Sequence, residues 1–186
     1  MRAGIRQKIG QACLSLHDYD AAAEEMRAVL KSAPTPRQEF EAKSTLGFIL
    51  EARGQFEQAR DLYQEMLKTK HLRSRFEAET RLSLAGALSR MDRTDEAYRL
   101  YLGVTEGFPR SSQSAMAFYR MGLIAQRQHR KPEEVRELFK KAQGEDSGAP
   151  AFDLARQRHD DLDALDRYHG RIAADSTGRD AGVTVF

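Results

Sequence analysis

Tryptophan is absent from this 186-residue chain, and cysteine occurs once, as Cys13. A lone thiol excludes an internal disulfide framework and a cysteine-rich zinc site. Cys13 falls on an apolar stripe, where a free thiol packs as a small hydrophobe. Net charge is nearly absent as well: Lys+Arg 30 against Asp+Glu 28 leaves +2. That balance supplies no broad basic field to gather nucleic acid, and no nucleic-acid partner is expected. No apolar run approaches the roughly 18 residues of a membrane-spanning helix, so no direct membrane insertion is expected. Met1-Arg2-Ala3 leads into patterned sequence without the apolar core of a signal peptide, so a cytoplasmic location is expected, with a periplasmic or envelope-associated one as the alternative if a signal or anchor lies upstream. There is no glycine-rich phosphate loop, serine nucleophile elbow or paired-cysteine motif. The expectation is therefore not an enzyme, with no cofactor, no metal and no catalytic residue.

What is present is helical pattern. Charged residues make up 31% and hydrophobic residues 40%, as in an ordinary folded domain. The stretch from Thr45 to Lys68 holds two amphipathic halves. Leu46, Ile49 and Leu50 form one stripe; Phe56, Ala59, Leu62, Tyr63, Met66 and Leu67 form the other, at the three- and four-residue steps of a helix face. Gly54 stands between them and can end a helix in the left-handed conformation. Neither half can bury its stripe alone, so the pair reads as a helical hairpin. The pattern recurs at steps of 37 and 38 residues: Ala22, Ala59, Ala97 and Val135 on second helices, and Gly10, Gly47, Ala85 and Gly122 on first helices. Four residues after each small second-helix residue come Met26, Tyr63, Tyr101 and Phe139. Such a period predicts stacked hairpins.

These residues resemble the tetratricopeptide repeat (TPR) family. Leu46-Gly47, Leu50, Gly54, Phe56, Ala59 and Tyr63 fall at its signature positions. The other copies fit through Gly10, Tyr19, Ala22, Met26 and Pro34; through Leu84-Ala85, Leu88, Ala97, Tyr101 and Pro109; and through Met121-Gly122, Val135, Phe139 and Ala142. The period exceeds the family's 34 residues, and the family's early tryptophan is missing. The resemblance implies an all-α fold, a right-handed α-α superhelix (a TPR-like solenoid of helical hairpins), with a C-terminal capping helix. Residues 1–143 would form four repeats, about 3–36, 40–73, 78–111 and 115–147. The cap would occupy 150–173, and 174–186 would be a flexible tail. The first helix should turn Ile5, Ile9, Cys13 and Leu16 inward. Helix three should start near Gln38, and a connector should separate helices four and five around His71 to Ser74. His159, Asp163 and Asp166 share one face of the ninth helix, where a charged solvent face explains them as well as a metal would.

The family resemblance implies a non-catalytic scaffold or adaptor that binds a protein or peptide partner in a concave groove lined by the first helices. Carried onto this sequence, the lining is Phe48, Glu51, Leu82, Arg90, Met116, Tyr119, Leu123 and Arg127. Gln7, Gln11, Leu14, Glu41, Ser44, Glu79, Ser89 and Gln126 complete it. Positions that grip a terminal carboxylate in the chaperone-tail-binding subset here hold Gln7, Gln11, Thr45, Glu79 and Ser83, none of them a cation. Gly107-Phe108-Pro109-Arg110-Ser111-Ser112 with Ala115 and Gly122 is similar to a stretch in bacterial envelope repeat proteins. That likeness gives the alternative: an accessory subunit of an envelope or biosynthetic complex, docking through its convex face or terminal helices. Self-association through the terminal helices is a further expectation.

Overall fold

The computed structural model describes residues 3–180, and the regular elements among them are helices. They fall into two compact units, Met1–Gly107 and Phe108–Phe186. The first holds α1 (Ala3–Ser15), α2 (Tyr19–Leu30), α3 (Pro36–Ala52), α4 (Phe56–Lys68), α5 (Lys70–Arg90) and α6 (Thr94–Gly107). The second holds α7 (Ser112–Arg127), α8 (Pro132–Glu145) and α9 (Pro150–Asp180).

In the first unit each helix packs on its successor, and the first helices of neighbouring hairpins also touch, α1 on α3 and α3 on α5. No described helix of this unit contacts one more than two places along the chain. That is a succession of hairpins and not a bundle around one centre. In the second unit α7 pairs with α8, and α9 packs on both.

Small residues set the spacing within hairpins. A Cβ added to Gly47 would lie 2.5 Å from the Tyr63 ring, and one added to Gly122 would lie 2.5 Å from the Phe139 ring. At Gly10 the Cβ would strike the terminal methyl of Met26. The recurring small and large residues of the sequence are thus partners across three of the hairpins, with Met26, Tyr63 and Phe139 all buried.

The turns repeat at the same interval. His17, Gly54, Asp92 and His129 each have positive φ, at 59°, 73°, 60° and 51°. The following amides, of Asp18, Gln55, Arg93 and Arg130, donate to the carbonyls of Cys13, Leu50, Leu88 and Ala125. This left-handed closure satisfies the last carbonyls of each first helix. Only one copy uses glycine for it. Asp92→Gly or His129→Gly is expected to stabilise the protein by about 0.5–1 kcal/mol, because a side chain in this conformation is disfavoured. Gly54→Ala should destabilise by about 1 kcal/mol on conformation alone, since a Cβ there meets nothing within 4 Å. Urea unfolding midpoints of the three variants check both signs.

Capping follows local chemistry. Asp18 accepts from the Ala21 amide, and Ser111 from the Ser114 amide. Thr35 and Gln38 form a reciprocal capping box with Pro36 in the first turn, so α3 begins at Pro36 and not near Gln38. A Thr with Gln three residues on is the sequence signature of that start.

Three further expectations need correction. The stretch from His71 to Ser74 is no connector: α5 begins at Lys70 and runs to Arg90, with one non-helical residue, Phe76, at φ −131° and ψ 27°. Leu72 is fully buried and anchors the early segment. The Phe76 ring stacks on Phe40, with centroids 4.1 Å apart and planes 9° apart. Second, α1 does not turn Ile5, Ile9 and Leu16 inward. They are exposed, Cys13 is half-buried, and Gly10 and Gln7 are the buried residues of this helix. Gly10 belongs to the side of α1 that faces α2, where the terminal methyl of Met26 occupies the space beside it. Third, α9 continues past 173 to Asp180, so residues 174–180 are helical and not a tail. The Val183 to Phe186 end lies outside the described residues.

A polar network ties α3, α4 and α5 together. Lys43 reaches Glu39 at 3.1 Å and Glu65 at 2.9 Å, and His71 Nε2 lies 2.8 Å from Glu39. Burial alone would raise the Glu39 pKa, but hydrogen bonds from His71 and Lys43, with their charges, hold it below 4.5. Burial likewise opposes the Lys43 charge, while Glu65 and Glu39 hold that pKa above 10.5. An acid with a lowered pKa contributes stability above its unfolded value and loses it as pH falls through the folded one. Glu39→Gln should therefore destabilise at pH 7, and the difference should shrink as pH falls below 4.5, a comparison of two urea titrations.

Candidate partner-binding groove

First helices α1, α3 and α5 lie in succession in the first unit, and one register runs across them. Position Gln11 corresponds to Phe48 and then to Gly86, at the steps of 37 and 38. Phe48 is 51% exposed. On the neighbouring helix, a Cβ built at Gly86 would meet nothing within 4 Å. The equivalent positions of α3 and α5 thus carry a large exposed ring and an open glycine surface. Ser44 and Leu82, one turn earlier on each helix, are half-buried. Gly86 was not among the expected lining residues. Counting the repeat step from Phe48 finds it, whereas a search for apolar or charged side chains passes over it.

Several of the expected lining residues are already engaged. Glu51 accepts a hydrogen bond from the buried Tyr63 hydroxyl at 2.8 Å. Burial, and then the Glu51 carboxylate, push the Tyr63 pKa well up, so the phenol stays protonated as the donor. Ser83 of α5 donates to the Glu79 carbonyl of its own helix at 3.2 Å. Glu41 is held by Arg37 at 2.8 Å and by the Gln7 amide. Arg90 is exposed but leans over the Phe56 ring, its guanidinium carbon 5.7 Å from the centroid. In this unit Phe48 and Leu82 are the apolar lining.

In the second unit the expected contact residues lie on α7. Arg127 is exposed, while Met116 and Leu123 are half-buried. Tyr119 is 8% exposed, its ring 5.9 Å from that of Phe139. It is a core residue in its hairpin more than a surface one.

The acidic line on α9 has a structural partner. Arg136 of α8 lies 3.2 Å from Asp163 and also pairs with Asp166, while His159 Nδ1 is 3.5 Å from Asp163. The carboxylates clamp α9 to α8. Among the described residues no group of three or more His, Cys, Asp or Glu could hold a metal ion, and no helix is long and apolar enough to cross a membrane.

Comparison with known proteins agrees with this architecture. The tetratricopeptide repeat family model matches residues 8–71. No curated protein matches the chain. Two solved structures, MamA 41-end from Desulfovibrio magneticus RS-1 and a MamA RS-1 ArsTM double mutant, are each 18% identical with a TM-score of 0.59. Each alignment covers 96% of this chain and 97% of that chain. A third, MamA MSR-1 C2, is 16% identical with a TM-score of 0.51, over 90% of this chain and 98% of that chain. At this identity the likeness is one of fold: an all-α, TPR-like solenoid of helical hairpins.

Proposed function

We propose that this chain, whose residues 8–71 match the tetratricopeptide repeat family model, serves as a non-catalytic scaffold whose first-helix face holds a protein segment. The observation that carries the reading is Phe48: a large aromatic ring, 51% exposed, with open space at Gly86, the equivalent position of α5. An exposed ring of that size on a first helix is a ready anchor for an apolar side chain of a partner. The partner segment would insert its own apolar residue between Phe48 and Leu82. Polar groups around it, Gln11 and Ser44, would meet its backbone or polar side chains. In the second unit, taken by itself, Met116, Leu123 and Arg127 of α7 are proposed contacts for a protein partner.

The test is a peptide-display selection against the full chain, followed by titration of the selected peptides. Phe48→Asp is expected to weaken them at least tenfold, and Leu82→Asp to act in the same direction. Gln64→Asp, on an exposed second-helix position, should leave them unchanged. Peptides that bind Phe48→Asp as tightly as the parent place the contact elsewhere and sink the groove reading.

A further inference from the structure

We propose that the outward face of α1 is a docking site for an amphipathic helix of a partner protein. The helix would seat as the second helix of one hairpin seats on the next. This surface is distinct from the Phe48 face. The repeats themselves show what covers such a face. At steps of 37 and 38, Ile5 corresponds to Ala42 and Thr80, Ile9 to Leu46 and Leu84, and Ala12 to Ile49 and Ala87.

On α3 and α5 these positions are closed: Ala42 and Ala87 are fully buried, Ile49 and Thr80 are 2% exposed and Leu84 is 5%. On α3 the cover is α2. Ala22 and Ala23 cluster with Ile49, Met26 and Val29 with Ala42, and Leu46 fills the space beside both sets. Helix α4 packs on α5 in the same order.

On α1 the same register is open. Ile5 is 51% exposed and Ile9 37%, with Ala12 exposed beside them. The opposite side of α1, with Ala3, Cys13 and Leu14, already packs against the α2 clusters. So α1 presents a repeat-to-repeat interface with one half in place, and continuity with the α2–α3 interface names the other half.

The side chains on α1 also state what that helix must look like. Ile5 is bulkier than Ala42, which meets Met26 and Val29. Close packing then requires a smaller residue opposite Ile5 than α2 offers opposite Ala42. Lys8 is exposed on the rim of this face, which favours an acidic residue at the edge of the incoming helix. The partner chemistry is therefore an amphipathic helix with two or three small residues at one-turn spacing and an acidic flank.

The probe is a helix-stabilised peptide of Tyr19–Leu30 carrying Val29→Ala, fluorescently labelled and titrated into the full chain by anisotropy. The expected result is saturable binding that Ile9→Asp weakens at least tenfold and Phe48→Asp leaves unchanged. Hydrogen-exchange protection should fall on α1 amides. Ile9→Thr, a milder change with unaltered circular dichroism, should weaken binding in the same direction. Absence of binding, equal binding by the Ile9 variants, or protection confined to other helices overturns the proposal. So does a chain that ignores the peptide but sediments as a dimer split by Ile9→Asp, because the occupant is then a second copy.

Discussion

Gly47→Ala and Gly122→Ala are each expected to lower the free energy of unfolding by about 2 kcal/mol, while Gly10→Ala stays neutral or gains slightly. Alanine favours a helix interior over glycine by roughly 1 kcal/mol, so the same substitution starts with the same advantage at all three sites. What differs is the residue that must give way. At Gly47 and Gly122 the new Cβ lands 2.5 Å from a ring. Tyr63 and Phe139 are rigid and buried, so relief requires moving the helices apart. Overpacking of that kind commonly destabilises by about 1–3 kcal/mol, and rings bound on all sides belong at the upper end. At Gly10 the obstruction is the terminal methyl of Met26, which an unbranched side chain can swing aside. Urea titration of the three variants reads the contrast. Pairing Gly122→Ala with Phe139→Leu should return about 1 kcal/mol, because the two changes act on one contact and cannot be additive. Equal losses at all three glycines would show that helix spacing does not depend on the rings.

The second large effect is at Leu72. Leu72→Ala is expected to destabilise by about 3 kcal/mol, within the usual range for a buried leucine. It should do so locally as well as globally. In the segment before Phe76, Leu72 is the buried residue; Lys70, His71, Arg73, Ser74 and Arg75 are exposed. Loss of the one apolar anchor leaves the His71 bond to Glu39 to hold the segment, and a solvent-exposed polar contact contributes little. Limited trypsin digestion should then cut at Arg73 or Arg75 well before the rest of the chain opens. If Leu72→Ala digests like the parent, the helical start of α5 rests on something other than this side chain.

Much of the architecture is legible because it is written locally. A hairpin needs two amphipathic stretches, a stop between them and a small residue facing a large one, all within about 30 residues. Gly47, Gly54, Ala59 and Tyr63 state that unit in full, and the recurrence of their types at one interval states the stack. The turn residues His17, Asp92 and His129 share the backbone conformation of Gly54 without sharing its chemistry, so only the interval reveals them. The groove is legible to a lesser degree. Phe48 can be read as a surface residue from its register, whereas the burial of Tyr119 against Phe139 and the engagement of Glu51 by Tyr63 depend on where a second helix sits.

By itself the sequence determined the helical hairpins, their stop signals, their interval and the small-to-large pairing across each, since these are properties of adjacent segments. The tertiary structure decided the rest: which side of α1 turns outward, where α5 bends to place Phe76 on Phe40, and that Arg136 claims the carboxylates of α9. Those outcomes come from competition among side chains far apart in the chain for the same space or the same charge. A periodic pattern permits several winners, and packing selects one.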